Sequence, residues 1–221
     1  MNHTIRIAAV ALSLTPVMAT AAEGPPDCRN GLFPEQVKQP GLARITPGPK
    51  VDVLGDSNGC PGEDPKCRDG SALAAGETVL TGLSFGDFVC VFRPDNEGGN
   101  AGYVKSSRLA PQTLKAPAVR DWLGVWREGD NELRLSAAKG AIKVAGRAWW
   151  PSRKPPKGAG GPNEGRVNGE AKPEARRLVV TDTDDDDCVL TLTLVGSYMM
   201  ESDTGYCGGN NVRFNGVFRK R

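Results

Sequence analysis

The stretch Cys188–Arg219 reads CVLTLTLVGSYMMESDTGYCGGNNVRFNGVFR, and its pattern decides the fold class. Leu190, Leu192 and Leu194 alternate with polar or smaller residues, a period of two that is typical of a β-strand with one face toward a core. The same alternation returns after the Gly-Gly-Asn-Asn turn, where Val212 begins a second apolar series. The stretch therefore predicts antiparallel β-strands joined by glycine-rich turns.

The cysteines predict three disulfides. The chain contains six cysteines, and an even number in an exported protein favours a disulfide framework. One pair brackets the stretch above and would close a loop of about 20 residues, worth roughly 3 kcal/mol on loop-entropy grounds. A second pair flanks a short Pro/Gly loop, and the remaining pair follows by elimination; the alternative is one or more free buried thiols. The predicted disulfides are Cys188–Cys207, Cys60–Cys67 and Cys28–Cys90.

The beginning of the chain has the pattern of a secretory signal peptide. Met1–Arg6 carries a positive charge, Ile7–Leu14 is apolar, and Ala-Thr-Ala at 19–21 is a small-x-small cleavage site. We therefore expect residues 1–22 to be removed and the protein to be periplasmic or secreted in a bacterium. The apolar run is shorter than the about 20 residues of a membrane-spanning helix, so the chain is not expected to span a membrane.

Loss of this segment limits the chemistry of the mature chain. His3 is the one histidine, and without it the chain has no Ser-His-Asp triad, Cys-His dyad or histidine metal site. Loss of Arg6 leaves the mature chain close to neutral, which gives no argument for nucleic-acid binding. We predict no enzyme activity, no cofactor and no metal. A hydrolase with two carboxylates stays open, although no pair stands out.

Composition and turn residues predict an all-β chain of two domains. Residues 23–41 have the pattern of an extended lead-in, 42–111 of a first domain, 112–117 of a Pro-containing linker and 118–221 of a second domain. A cysteine-bearing loop over 55–70 interrupts the first domain. The strands predicted there are 42–46, 51–54, 77–83, 88–92 and 102–104.

Two segments of the first domain carry a resemblance. Residues 86–91 are Gly-Asp-Phe-Val-Cys-Val, residues 102–105 are Gly-Tyr-Val-Lys, and Leu109 follows. This pattern is similar to that of bacterial SH3-like domains, which often end in a Gly-aromatic-Val strand. The resemblance implies a small SH3-like barrel that binds cell-wall or peptide ligands. The cysteine-bearing loop departs from the family pattern and leaves the position of a binding groove open.

The strand and turn pattern of the second domain predicts a roughly eight-stranded antiparallel β-barrel, because closure of the sheet removes exposed strand edges. Turn signals at Gly129-Asp130-Asn131 and Lys139-Gly140 have the spacing of a β-meander. A loop is predicted over 151–165. The predicted strands are 122–126, 132–136, 142–144, 145–150, 177–181, 188–195, 196–202 and 212–219.

The second domain is similar to lipocalin-like barrels in two features. Gly124 and Trp126 form an early Gly-x-Trp, and the last strand carries a basic residue. In that family a terminal arginine packs over the first-strand tryptophan, which implies that Arg213 or Arg219 covers Trp126. Trp122, the Cys-Gly-Gly-Asn at 207–210 and the Phe-Asn-Gly-Val-Phe-Arg at 214–219 also resemble uncharacterised, lysozyme-inhibitor-like periplasmic proteins. These residues are therefore expected to hold the scaffold.

The predicted strand 145–150 and the loop after it supply the candidate binding residues. Trp149 and Trp150 are adjacent, so one ring is expected at the outside or mouth of the barrel, where it could stack on a sugar. Arg153, Lys154 and Lys157 form a basic, proline-stiffened loop that suits an acidic cleft such as that of lysozyme. The alternatives are one tryptophan in the core and a solvated hairpin loop.

An acidic run has part of the pattern of a calcium-binding loop. Asp182, Asp184 and Asp186 have the spacing of the first EF-hand ligands. However, Asp187 stands where that loop needs glycine, and Thr193 stands where it needs glutamate. A solvated acidic turn is the better interpretation, and calcium binding stays open.

These patterns lead to one expectation and two alternatives. We expect a non-enzymatic binding protein of the cell envelope whose partner is peptidoglycan or a cell-wall enzyme such as lysozyme. The two-carboxylate hydrolase is one alternative. The other is a carrier that holds a small apolar ligand inside the barrel, in a cavity lined by Leu133, Leu135, Ile142, Val144, Leu190 and Leu192.

Overall fold

The computed structural model describes residues 24–95, 98–158 and 160–221. The predicted signal peptide, residues 1–22, lies outside the described residues. Strands dominate the described part, and its two α-helices, α1 (Phe33–Gln36) and α2 (Val119–Trp122), are each one turn long. The all-β prediction is confirmed. Within the described ranges, no helix is long and apolar enough to cross a membrane.

The first half of the chain forms a seven-stranded antiparallel sheet in the order β3-β2-β6-β5-β4-β1-β7. The predicted lead-in contains α1, and the predicted loop 55–70 runs into a strand that sequence analysis missed, β3. This strand lies at the end of the sheet order, and its first residues are exposed, which explains why it lacks an apolar alternation. The strands are β1 (Gly41–Ile45), β2 (Val51–Leu54), β3 (Arg68–Leu73), β4 (Thr78–Phe85), β5 (Phe88–Arg93), β6 (Asn100–Lys105) and β7 (Leu109–Pro111).

The second half forms an eight-stranded antiparallel barrel that is nearly closed, in the order β11-β10-β9-β8-β15-β14-β13-β12. The predicted antiparallel barrel is therefore confirmed. The strands are β8 (Gly124–Glu128), β9 (Asn131–Ala138), β10 (Ala141–Trp150), β11 (Asn163–Ala171), β12 (Arg177–Thr181), β13 (Val189–Val195), β14 (Tyr198–Asp203) and β15 (Gly216–Lys220).

Three boundaries in the barrel differ clearly from prediction. The predicted strand 122–126 begins later, because Trp122 is the last residue of α2 and β8 begins at Gly124. β11 begins at Asn163, inside the predicted loop 151–165, and sequence analysis missed this strand because its core-facing positions include Gly165 and Gly169 rather than large apolar residues. β15 begins at Gly216 rather than at residue 212. The Asp203 carboxylate accepts a hydrogen bond from the Phe214 amide at 2.6 Å, and such side-chain bonds compete with a strand ladder.

The barrel closes between β11 and β12 without a β-ladder. The Asp182 carboxylate accepts hydrogen bonds from the amides of Asn168 at 2.7 Å and Thr183 at 3.0 Å. Gly169 allows the strands to approach, because a Cβ at this position would lie 2.5 Å from the Thr181 carbonyl oxygen. Asp182 is therefore a buried closing residue rather than part of a solvated turn.

The interior of the barrel is filled by side chains. Alternate residues of the strands point inward and form one buried apolar cluster. This cluster includes all six residues expected to line a carrier cavity, and each of them is at most 4% exposed: Leu133, Leu135, Ile142, Val144, Leu190 and Leu192.

The end of the barrel next to α2 is covered by a lysine. Trp126 is buried, and its indole N–H donates to the Trp122 carbonyl at 2.8 Å. Lys220 pairs with Trp126 across β15 and β8, and its ammonium lies 5.3 Å from the indole centroid. The expectation for Arg219 was wrong, because Arg219 faces the other side of β15, lies over Tyr198 and donates to the Pro94 carbonyl.

All three predicted disulfides are present, and they pair all six cysteines, each of which lies in the described ranges. Cys28–Cys90 attaches the lead-in to the first sheet, Cys60–Cys67 closes the short loop, and Cys188–Cys207 joins two connections of the barrel. The predicted framework is confirmed.

The two halves of the chain share a buried apolar contact. Phe33 and Phe92 of the first half lie in the same cluster as Met200 and Val217, on the outside of the barrel. Polar contacts cross the same boundary, including one from the Arg219 side chain to the Pro94 carbonyl. The two sheets therefore stabilise each other, and experiments on function are best made with the whole mature chain.

Candidate functional site

Four connections of the barrel meet at one end, which we call the loop end. They are residues 129–130, 151–162, 182–188 and 204–215. Three contacts tie this end together: the Arg153 amide donates to Asp130 at 2.9 Å, the side chain of Asn163 at the start of β11 donates to the Asn210 carbonyl at 2.8 Å, and the Cys188–Cys207 disulfide joins the last two connections. Such cross-links limit the movement of the loops and preorganise the surface they form.

The candidate tryptophans lie at this end. Ala148 points into the barrel, Trp149 lies partly buried on the outer face of β10, and Trp150 is 43% exposed at the end of the strand. The alternative in which one of the two tryptophans belongs to the core is therefore wrong. β10 carries its aromatic pair past the apolar core, to the point where the strand reaches solvent.

Trp149 is surrounded by cationic and polar groups. The guanidinium carbons of Arg147 and Arg153 lie 5.0 and 5.7 Å from its ring, within the range of cation–π attraction. The Trp149 amide donates to the Asn131 side chain at 3.1 Å, which ties β10 to the β8–β9 turn. A cleft of about 450 Å³ opens beside the ring and is lined by Glu128, Gly129, Asp130, Asn131, Trp149, Pro151 and Ser152.

The three predicted basic residues are exposed at the loop end. Arg153 contacts Trp149 and Asp130, whereas Lys154 and Lys157 extend from the same loop into solvent. The structure therefore brings Arg153 together with Trp149 and leaves both lysines as exposed charges on the rim.

Sequence analysis missed a group of arginines on the outer face of β8–β11. Arg127 and Arg134 bond the Glu132 carboxylate, at Nε–Oε distances of 2.8 and 2.6 Å. Next to them, Arg147 and Arg166 bond Glu164 in the same way. Four exposed arginines share two glutamates, so this face is positively charged. Their alternation with inward-facing residues was a signal that could have identified them.

The hydrogen bond from Arg147 is the main reason that the pKa of Glu164 lies below its usual range; burial opposes the shift, and Arg166 adds to it. Glu164 therefore stays ionised and holds both guanidinium groups against the sheet near Trp149.

Two carboxyl groups point into the barrel at the loop end. Burial raises the pKa of Glu128 to about 7, the charge of Asp95 adds to the shift, and a hydrogen bond from Asn131 opposes it. Glu201 is fully buried, and its oxygens have no hydrogen-bond partner among the described residues. Burial, followed by the charges of Asp203 and Glu128, raises the pKa of Glu201 well above its usual range.

The acidic run forms the connection between β12 and β13. Residues 184–187 are exposed, whereas Asp182 is buried and bonded to backbone amides. In the parts of the chain that the structure describes, no group of three or more His, Cys, Asp or Glu residues is arranged to hold a metal ion.

A separate cleft of about 390 Å³ lies in the first half. The Cys60–Cys67 loop contributes Gly62, Glu63 and Asp64 to one wall, and Leu54 and Phe88 contribute apolar surface. The cysteine-bearing loop therefore forms part of a groove rather than a detached excursion.

Comparison of the chain with protein-family models, with curated proteins and with solved structures gives no match. The resemblances to SH3-like domains and to lipocalin-like or lysozyme-inhibitor-like proteins accordingly stay predictions.

Proposed function

We propose that this chain is a non-enzymatic binding protein of the bacterial cell envelope, periplasmic or secreted, and that it binds peptidoglycan at the loop end. The observation that supports this function is the position of Trp149 beside an open cleft, between Arg147 and Arg153. An indole packs on the apolar face of a sugar, and guanidinium groups bond carboxylates. Peptidoglycan presents both, as sugar rings and as the carboxylates of its peptides.

The exposed basic loop supports a second partner, a cell-wall enzyme such as lysozyme. Arg153, Lys154 and Lys157 surround Pro155 and Pro156, which restrict the backbone. A stiff, cationic projection complements an acidic catalytic cleft and accelerates association with it.

The two alternative functions have less support. The carrier needs an apolar cavity, but the six residues in question pack against one another in the core. The two-carboxylate hydrolase needs two acids that reach one cleft. Glu128 lines the Trp149 cleft, whereas Glu201 is fully buried and lines none of the clefts described here.

Cosedimentation of the oxidised mature chain with purified peptidoglycan sacculi tests the proposal. We expect the wild type to pellet with sacculi, the double variant Trp149→Ala/Arg153→Ala to stay largely in the supernatant, and Arg153→Ala/Lys154→Ala/Lys157→Ala to be intermediate. Lys139→Ala/Lys143→Ala/Lys172→Ala is the matched control, since these exposed lysines remove the same charge outside the loop end. If the wild type stays in solution, peptidoglycan is not the ligand, and inhibition of lysozyme by the same variants tests the second partner.

A further inference from the structure

The beginning of β11 is a strand edge without a ladder partner on one side, although the β14–β15 connection approaches its first residues, with Gly209 near the Glu164 carbonyl. β12 ends at Thr181, beside Gly169, so none of the strands in the described ranges lies next to residues 163–167 on that side of β11. A cleft of about 370 Å³ occupies this position, and β11 contributes Glu164, Gly165 and Arg166 to its lining. The barrel is therefore incomplete at the loop end, next to β11.

The backbone groups of Glu164 and Arg166 face this open side. Asn168, in the same strand, donates its amide to Asp182 and accepts from the Thr183 amide at 2.8 Å, both across the gap to β12. Residues two apart along a strand direct their backbone groups to the same side. The amides and carbonyls of residues 164 and 166 therefore point into the cleft.

The hydrogen bonds of β10 show independently that the backbone groups of Glu164 point away from β10. Trp149 is the cross-strand partner of Glu164, and its amide points away from β11 and donates to Asn131. The pair is therefore not joined by backbone hydrogen bonds. Within the described residues, neither Glu164 nor Arg166 makes a backbone hydrogen bond on the open side. Backbone N–H and C=O groups without partners at a strand edge can form hydrogen bonds with a strand of another chain.

The opposite wall of the cleft is acidic and fixed. Asp185 lines the cleft, and the rest of the acidic run 184–187 is exposed beside it. The carboxylate of Glu164 is already neutralised by Arg147 and Arg166. Cys188–Cys207 holds this wall, and Tyr206, 67% exposed, adds a ring on which a cationic or aliphatic side chain can pack.

We propose that this edge of β11 is a strand-addition site for an extended segment of a partner protein that is rich in lysine or arginine. The edge at 163–167 is about 13 Å long at 3.3 Å per residue, enough for a short partner strand. Main-chain hydrogen bonds to residues 164 and 166 supply affinity, and the acidic run selects cationic side chains. This site is independent of peptidoglycan binding at Trp149.

The test uses the oxidised mature chain and a fluorescently labelled Lys-Val-Lys-Val-Lys peptide, with binding followed by anisotropy at low salt. Arg166→Pro removes the amide that faces the cleft without touching the β10 ladder, a position where an edge strand tolerates proline. Arg166→Ala is the matched control, because it removes the same side chain but keeps the amide. We expect Arg166→Ala to bind the cationic peptide at least as tightly as the wild type, because it removes a positive charge from the cleft lining. Arg166→Pro is expected to bind roughly fivefold or more weakly than Arg166→Ala.

Two further measurements complete the test without relying on the proline variant. In the wild type, hydrogen exchange at the Arg166 amide is expected to slow when the peptide is bound. Two changes are each expected to weaken binding roughly fivefold or more relative to the wild-type chain with the Lys-Val-Lys-Val-Lys peptide: a Glu-Val-Glu-Val-Glu peptide, and the variant Asp184→Asn/Asp185→Asn, which removes a carboxylate that lines the cleft. Both differences are expected to shrink in salt. Equal binding of both peptides, unchanged exchange at Arg166, or equal affinity of the proline and alanine variants would overturn the proposal.

Discussion

The Asp182 carboxylate accepts the Asn168 amide at 2.7 Å and thereby joins β12 to β11, the two strands between which the barrel closes. Asp182 is 9% exposed, so this hydrogen bond is made with little competition from water. Backbone ladders join the other neighbouring strands of the barrel, whereas here one side chain and the adjacent backbone contacts do so.

Replacement of Asp182 by alanine is expected to destabilise the protein by about 1–3 kcal/mol, because the Asn168 amide loses its acceptor in a partly buried position. Equilibrium unfolding in denaturant measures the change. Asp184→Ala is the matched control: its side chain is exposed in the same connection, and we expect a change below about 0.5 kcal/mol. Similar values for the two variants would show that the barrel closes without Asp182.

Gly169 makes the same closure sensitive to one methyl group. A Cβ there would lie 2.5 Å from both the Thr181 carbonyl oxygen and a Val180 methyl group, and the carbonyl is backbone that cannot rotate away. We expect Gly169→Ala to separate β11 from β12 and to cost about 1–3 kcal/mol in denaturant unfolding. Gly31→Ala is the control, since nothing lies within 4 Å of a Cβ at that position. If Gly169→Ala is as stable as the wild type, the strands are not in close contact.

Apolar alternation along β9, β10 and β13 predicted both the strands and the residues that point into the barrel, because large apolar side chains at every second position must be buried together. The disulfides were also predicted correctly, from the positions of the cysteines along the chain. Sequence analysis did not predict β11, because its inward positions include glycines, which allow neighbouring backbone to approach closely. The role of Asp182 was not predicted either, since only the folded chain places Asn168 opposite the acidic run.

The candidate site was predicted in part. Adjacent tryptophans at the end of an alternating strand identified the correct end of the barrel. Arg147 lies two residues before Trp149 on the same face of β10, so this neighbour could be predicted from the strand alternation. Asn131 could not, because it reaches Trp149 only through the pairing of β9 with β10. The strand register that brings them together depends on contacts across the whole sheet.

The three disulfides are expected to differ in their contribution to stability according to the length of chain they close. The sequence separations are 62 for Cys28–Cys90, 19 for Cys188–Cys207 and 7 for Cys60–Cys67. Loop entropy gives losses of about 4, 3 and 2.5 kcal/mol when each pair is replaced by alanine. Unfolding of the three double variants in guanidinium chloride measures the order, which a larger loss for the shortest loop would contradict.

Glu128 is expected to make stability fall as the pH rises. Its pKa is raised from 4.5 to about 7 in the folded chain, so between these values the folded state holds a proton that the unfolded state has lost. The unfolding free energy therefore decreases across this window, by up to about 3 kcal/mol, and the penalty persists at higher pH. Glu128→Gln removes the penalty, so the variant should match the wild type in acid and exceed its stability above neutral pH.

Glu132→Gln is the control of opposite sign. Burial acts to raise the pKa of Glu132, but hydrogen bonds and charges from Arg127 and Arg134 outweigh it and lower the pKa. The ionised Glu132 thus stabilises the fold above its usual pKa, and this contribution is lost as the pH falls through the lowered value. At neutral pH we expect Glu132→Gln to be less stable than the wild type and Glu128→Gln to be more stable. A Glu128→Gln variant whose advantage does not grow with pH would show that Glu128 is ionised in the folded protein.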